Sequence, residues 1–123
     1  MKFEVPKDLA DKAYQLVQVS KDSGKIRKGT NEVTKSIERG MAKLVMIAED
    51  VDPPQVVAHL PILCEERKVP YIYVPKKQEL GRASGLDVAS AAISVVDSGE
   101  ASKALAEIIA QIERLKTGSG KGR

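Results

Sequence analysis

Apolar positions along this chain follow two different spacings. Leu9, Ala13, Leu16 and Val17 recur at helical intervals after Pro6 and predict a helix from about residue 7 to 21. "LVMIA", residues 44–48, is an unbroken apolar run of strand length, as expected for a strand covered on both faces. "YIYV" at 71–74 and "AISVV" at 92–96 read as two further strands. "KIRK" at 25–28 predicts a short polar edge strand, its charges discouraging pairing with a foreign strand. Between Gly29 and Gly40 the chain predicts a second helix, roughly 30–39, with Val33, Ile37 and Met41 as its buried stripe. Residues 55–68 are helical in period but interrupted by Pro61, which predicts two short helices or one kinked helix. "QELGRASG" gives a short helix at 78–84 closed by Gly85, and "LDVAS" a loop. Ala101, Leu105, Ile108, Ile109, Ile112 and Leu115 mark a last helix, about 99–116.

Helices and strands thus alternate, which predicts an α/β domain with a small central sheet of four strands sandwiched between helix layers. The expected organisation is one domain over residues 1–116 and a flexible basic tail over 117–123. A length of 123 residues suits that reading. With 42% apolar and 30% charged residues, the chain has enough apolar material for one core and too much for a disordered segment.

Composition then removes several chemistries. Aromatic residues are 3% of the chain, which argues against a base-stacking sheet. Cys64 is the only cysteine, so no internal disulfide forms. No apolar run spans a bilayer and the opening residues lack a secretion core, so a cytoplasmic protein without membrane contact is expected. The single His59 lies among apolar residues and reads as a packed or partly exposed structural histidine. Cys64, five residues on, reads as a buried thiol off the same helix face. No Cys/His cluster has metal spacing, and the carboxylates Glu49, Asp50 and Asp52 read as a solvated loop. The terminal "GSGKGR" lacks the strand and helix a phosphate loop requires. No catalytic residue, metal or cofactor is expected.

One residue stands apart. Asn31, in "RKGTNEVTKS", is the only asparagine. Thr30 or Asn31 would serve as a helix cap. The neighbours suggest another use. Asn31 and Lys35 stand at i and i+4, off the buried stripe, with Glu32 beside them and Arg27 and Lys28 just before. A site for phosphate alone would not hold Glu32, but a glutamate accepts hydrogen bonds from base amino groups, as Asn and Lys donate to base acceptors. Flanking cations grip backbone. The set fits a helix opening that reads base edges in RNA whose groove has been opened, because the A-form major groove is closed to side chains.

"RKGTNEVTKSIERG", followed by "LPILCEERKVPYIYVPKKQELGRASG", resembles the archaeal kink-turn-binding large-subunit ribosomal protein of the L-seven-Ae family, over about residues 5–116. The resemblance implies a three-layer α-β-α sandwich with a small mixed four-stranded sheet, and assigns roles. Asn31, Glu32 and Lys35 match positions that contact the guanines of tandem sheared G·A pairs. Lys28 and Gly29, within the run Arg27 to Thr30, match its backbone-contacting approach. Asp52 falls where some relatives carry a glutamate near the bulged nucleotide, and Lys77 matches a lysine near the same nucleotide. Leu86, Asp87, Val88 and Ala89 fall in the loop over the extruded bases, in an apolar version that implies broad RNA tolerance. From the residues alone, Leu86 and Val88 read equally well as core.

The implied activity is recognition, not catalysis. The implied partners are kink-turns in ribosomal RNA, in box C/D and H/ACA guide RNAs and in ribonuclease P RNA, together with ribonucleoprotein partner proteins. The free protein is expected to be a monomer. The competing reading is an RNA-binding subunit of an RNA-modifying enzyme, whose chemistry another subunit would supply.

Overall fold

A computed structural model describes residues 5–121, with side chains described through residue 115. Helix α1 (Lys7–Ser23) follows the extended Pro6 and buries Leu9, Ala13, Leu16 and Val17, the predicted stripe. Strand β1 (Lys25–Lys28) leads through Gly29 into helix α2 (Thr30–Glu38), which buries Val33, Ser36 and Ile37. Met41 does not continue that stripe. The helix ends at Glu38 and the turn that follows leaves Met41 38% exposed.

Strand β2 (Leu44–Ala48) is buried at every position, as its continuous apolar run requires. After it come a single 3-10 turn (Pro54–Val56) and helix α3 (His59–Arg67). Pro61 is the third residue of α3, in the first turn, where no intrahelical acceptor waits for its missing N–H. The proline thus splits the segment rather than kinking a helix.

Strand β3 (Tyr71–Val74), helix α4 (Lys77–Ala83) and strand β4 (Ala92–Asp97) lie within a residue of their expected bounds. Helix α5 (Ser102–Lys121) follows a 3-10 turn at Gly99–Ala101. Its backbone is helical through 117–121, where the sequence predicts a tail. Residues 122 and 123 of that tail lie outside the described residues.

The sheet order is β1-β4-β2-β3. β4 pairs antiparallel with both β1 and β2, and β2 pairs parallel with β3, so the sheet is mixed. The parallel pair needs a crossover, and α3 supplies it. Helices α2 and α3 cover one face; α1 and α4 cover the other, with α5 against α1. The core between the layers includes fully buried Leu16, Ile37, Met46, Ile47, Ile72, Leu80 and Ile93.

This register has one consequence for everything below. Lys28 pairs with Ile93, Ile47 with Ala92, and Ala48 with Val74. The last residues of β1, β2 and β3 and the first of β4 therefore sit at one end of the sheet. Four connections emerge there: 29–30, 49–53, 75–76 and 84–91.

Candidate nucleic-acid interface

Those four connections carry most of the residues singled out from sequence, and hydrogen bonds tie them together. The Gly29 amide donates to the Ala92 carbonyl at 3.0 Å, and Ala48 to Ala91 at 2.9 Å. Glu49 donates to the Val74 carbonyl at 2.8 Å. The Lys77 amide donates to Oδ1 of Asp50 at 2.8 Å, and the Ser90 amide to the Lys77 carbonyl at 3.0 Å. From behind, the Tyr14 hydroxyl accepts from the Lys76 amide at 3.0 Å and donates to its carbonyl at 3.3 Å. Burial, the larger cause, holds the Tyr14 phenol above its ordinary titration range, so it keeps the proton it donates.

Gly29 makes the turn from β1 into α2. It is the N-cap, with φ 94° and ψ 153°, a conformation that costs a residue with a Cβ dearly. A glycine cap has no side chain to bond the helix amides. Asn31, the second helical residue, does not replace it: its side chain has no hydrogen-bond partner among the described residues. Capping therefore does not explain the asparagine. It stands exposed beside exposed Glu32.

Glu32 and Lys35 form an i,i+3 ion pair at 3.8 Å, each side chain 54% exposed. Such a pair contributes at most about 1 kcal/mol and opens readily to a ligand. Lys28, Gly29, Thr30, Asn31 and Glu32 line one groove. Arg27 is half-buried and does not line it, because neighbouring strand residues project to opposite faces.

Two further residues line the groove that sequence reasoning passed over: Val56, 44% exposed, and His59. Of the two readings, packed or partly exposed, the packed one fails: the histidine is an exposed residue at the start of α3. Its Nε2 lies 2.9 Å from the Thr34 hydroxyl. The signal that could have placed it was Pro61, which favours the first turn of a helix and so puts His59 at the helix start. Cys64 is buried, as expected for a packed thiol.

The second part of the surface is the segment 86–89. With Gln78 and Arg82 it lines a separate shallow groove. Val88 is 68% exposed and Leu86 half-buried, so this pair is not core. The segment lies directly on α4. The Leu86 amide donates to the Gly81 carbonyl at 2.9 Å, and a Cβ on Gly81 would collide with the Val88 carbonyl. Asp52 is exposed in the 49–53 connection, and Lys77 is half-buried at the start of α4.

The surface as a whole offers cations, the amides of Asn31 and Gln78, the carboxylates of Glu32, Asp52 and Asp87, and exposed apolar Val88 at one end of the sheet. Among the described residues there is no cluster of three His, Cys, Asp or Glu able to hold a metal, and no helix long and apolar enough to cross a membrane.

The fold occurs in a known protein. The chain is similar in structure to the Giardia lamblia 15.5kD RNA binding protein, with a TM-score of 0.86 and 35% sequence identity over 90% of this chain and 92% of that one. Residues 11–105, which take in all four strands and every connection at the stitched end of the sheet, match the family model described as ribosomal protein L7Ae/L30e/S12e/Gadd45. A match over that much of the chain means that the chain belongs to the ribosomal protein L7Ae/L30e/S12e/Gadd45 family.

Proposed function

We propose that this chain is a non-catalytic RNA-binding protein that recognises kink-turns and holds them in the bent state. Asn31, Glu32 and Lys35 test for tandem sheared G·A pairs: Asn31 and Lys35 donate to base acceptors, and Glu32 accepts from base amino groups while repelling phosphate. Lys28, at the Gly29 turn, offsets repulsion between the converging backbones, with Arg27 adding charge from the other face of β1 and Thr30 a neutral hydroxyl beside it. Asp52 and Lys77 stand near the bulged nucleotide, and Leu86, Asp87, Val88 and Ala89 give extruded bases an apolar surface. A protein that binds only the bent RNA shifts the population towards it. The folded RNA, whether ribosomal RNA, box C/D or H/ACA guide RNA or ribonuclease P RNA, then becomes a platform on which ribonucleoprotein partners assemble.

The observation that supports this reading most is Asn31: exposed, unpartnered among the described residues, and unnecessary as a cap. Family membership and an RNA-binding structural neighbour support it independently. The test is a mobility-shift titration with a kink-turn RNA and with the same RNA whose G·A pairs are replaced by Watson–Crick pairs. The expected preference is on the order of 100-fold, since two or more base contacts of about 1–3 kcal/mol are lost. Equal affinity for the two RNAs would refute it.

A further inference from the structure

His59 lines the groove shared by Lys28, Asn31 and Glu32, yet no role above uses it. Its surroundings fix which ring nitrogen is available. The Thr34 hydroxyl has one proton and donates it to the Thr30 carbonyl at 2.7 Å. Towards His59, 2.9 Å away, the same oxygen is therefore the acceptor, and Nε2 carries a hydrogen. The neutral ring then leaves Nδ1 as a bare acceptor, without a partner among the described residues. Protonation adds a hydrogen at Nδ1 and leaves the Thr34 bond intact. The ring thus gains charge without moving.

We propose that His59 is a further RNA-contacting residue of this interface: as imidazolium it donates from Nδ1 to a phosphate oxygen, so RNA binding takes up a proton at His59. The inference rests on the RNA-binding reading above. An anion beside an imidazole favours its charged form. Binding therefore favours the charged ring, so RNA affinity is greatest at low pH and falls as the pH rises. Other charged groups stand around it. On the groove walls these are Lys28 from β1 and Glu32 from α2. Further along α2 are Lys35, paired with Glu32, and Glu38 one turn beyond Thr34. The turn Pro54–Val56 carries no charge. His59 is also the only histidine of the chain.

The experiment is fluorescence anisotropy with one labelled kink-turn RNA between about pH 5.5 and 8. Wild-type affinity should rise at least about threefold from the top of that range to the bottom. His59→Gln, which cannot take the charge, should vary less than twofold more than the RNA's own titration allows, a baseline set by His59→Asn. Asn31→Ala should weaken binding at every pH and keep the wild-type slope. Thermal melts of each variant at the two pH limits verify folding. Parallel pH profiles for wild type and both His59 variants would overturn this inference while leaving the RNA-binding reading intact. Failure of the wild type to bind the RNA at any pH would overturn that reading and this inference with it.

Discussion

The Lys77 amide donates to Oδ1 of Asp50 across 2.8 Å, joining the connection that follows β2 to the first turn of α4. The N-cap residue of α4, Lys76, makes no side-chain cap bond, so Asp50 does from another segment what a local cap would do. Its negative charge also suits a helix N-terminus. Asp50→Ala is expected to lower stability by about 1 kcal/mol in urea unfolding. Asp50→Asn keeps an acceptor and should recover at least half of that. Because the same bond orders Asp52 relative to Lys77, Asp50→Ala should also weaken binding of a kink-turn RNA with a bulged nucleotide more than of one without it. An unchanged unfolding midpoint would show that the bond does not cap α4.

Asn31 and Lys28 separate fold from function. Asn31 has no partner among the described residues, so Asn31→Ala should leave stability within about 0.5 kcal/mol of wild type. Its binding of a kink-turn should weaken by about 1–3 kcal/mol, with little change on plain duplex. Lys35→Ala should behave alike, because its pair with Glu32 is half-exposed. Lys28→Ala should weaken all RNAs more evenly and flatten the salt dependence by roughly one unit of slope. Binding isotherms at several salt concentrations distinguish the classes, and uniform losses across all three variants would remove the division of labour.

How far the sequence carries depends on range. The strand at 44–48 and the helix of Leu9, Ala13, Leu16 and Val17 were legible because their periods are set by burial on one or two faces. The opening of α2 was legible from Gly29 and the unusual Asn31. What could not be read was anything fixed by register across the sheet. That Asp50 reaches Lys77, or that His59 meets Thr34, depends on β2 pairing with β3 and α3 packing on α2, contacts of 27 and 25 residues' separation. Met41 misled for the opposite reason: it kept the helical period after the helix had ended. Leu86 and Val88 were ambiguous because an apolar residue held on the surface has the same local pattern as a buried one.

Gly81 should prove intolerant. A Cβ there would collide with the Val88 carbonyl and stand 3.1 Å from the Cα of Ala89. Both are backbone atoms of a segment tied to α4 at Gly81 and Lys77, so it cannot yield without losing hydrogen bonds. Gly81→Ala is expected to destabilise the fold by about 1–3 kcal/mol, the usual cost of overpacking. In conditions where it remains folded, an RNA with extruded bases should lose more affinity than one without them. Wild-type stability in Gly81→Ala would mean that the 86–89 segment moves freely off α4.

Alkaline pH should weaken the fold through Tyr71. Its ring is buried, and its hydroxyl donates to Oε2 of Glu65 at 2.9 Å. Burial first, and then the Glu65 carboxylate, push the phenol well above its ordinary value. Folding thus favours the protonated phenol. That contribution is whole below the unfolded value of about 10 and is lost as the pH rises beyond it. Urea midpoints between about pH 7 and 10.5 should fall at the alkaline end in wild type and fall less in Tyr71→Phe. At neutral pH, Tyr71→Phe should cost about 0.5–1.5 kcal/mol for the lost hydrogen bond. Parallel alkaline losses would assign the effect to other groups, Tyr14 and Tyr73 among them, whose phenols burial also raises.

A buried hydroxyl pair should show a directional response. Ser36 and Ser94 lie 2.8 Å apart, linking α2 to β4 beneath the candidate interface. Ser36 spends its proton on the Val33 carbonyl at 2.7 Å, so Ser94 is the donor between the two hydroxyls. Removing the acceptor strands a buried proton; removing the donor leaves Ser36 still bonded to Val33. Ser36→Ala is therefore expected to cost about 1–3 kcal/mol, and Ser94→Ala about 1 kcal/mol. The double variant should cost less than the sum, because it leaves no orphaned group. Equilibrium unfolding of the four proteins gives the coupling directly. Neither change touches Asn31, Glu32 or Lys35, so at temperatures where each variant is fully folded, kink-turn affinity should stay close to wild type. A large binding loss in a folded Ser36→Ala protein would mean that this hydroxyl sets the position of the opening turn of α2, and not only its attachment to the sheet.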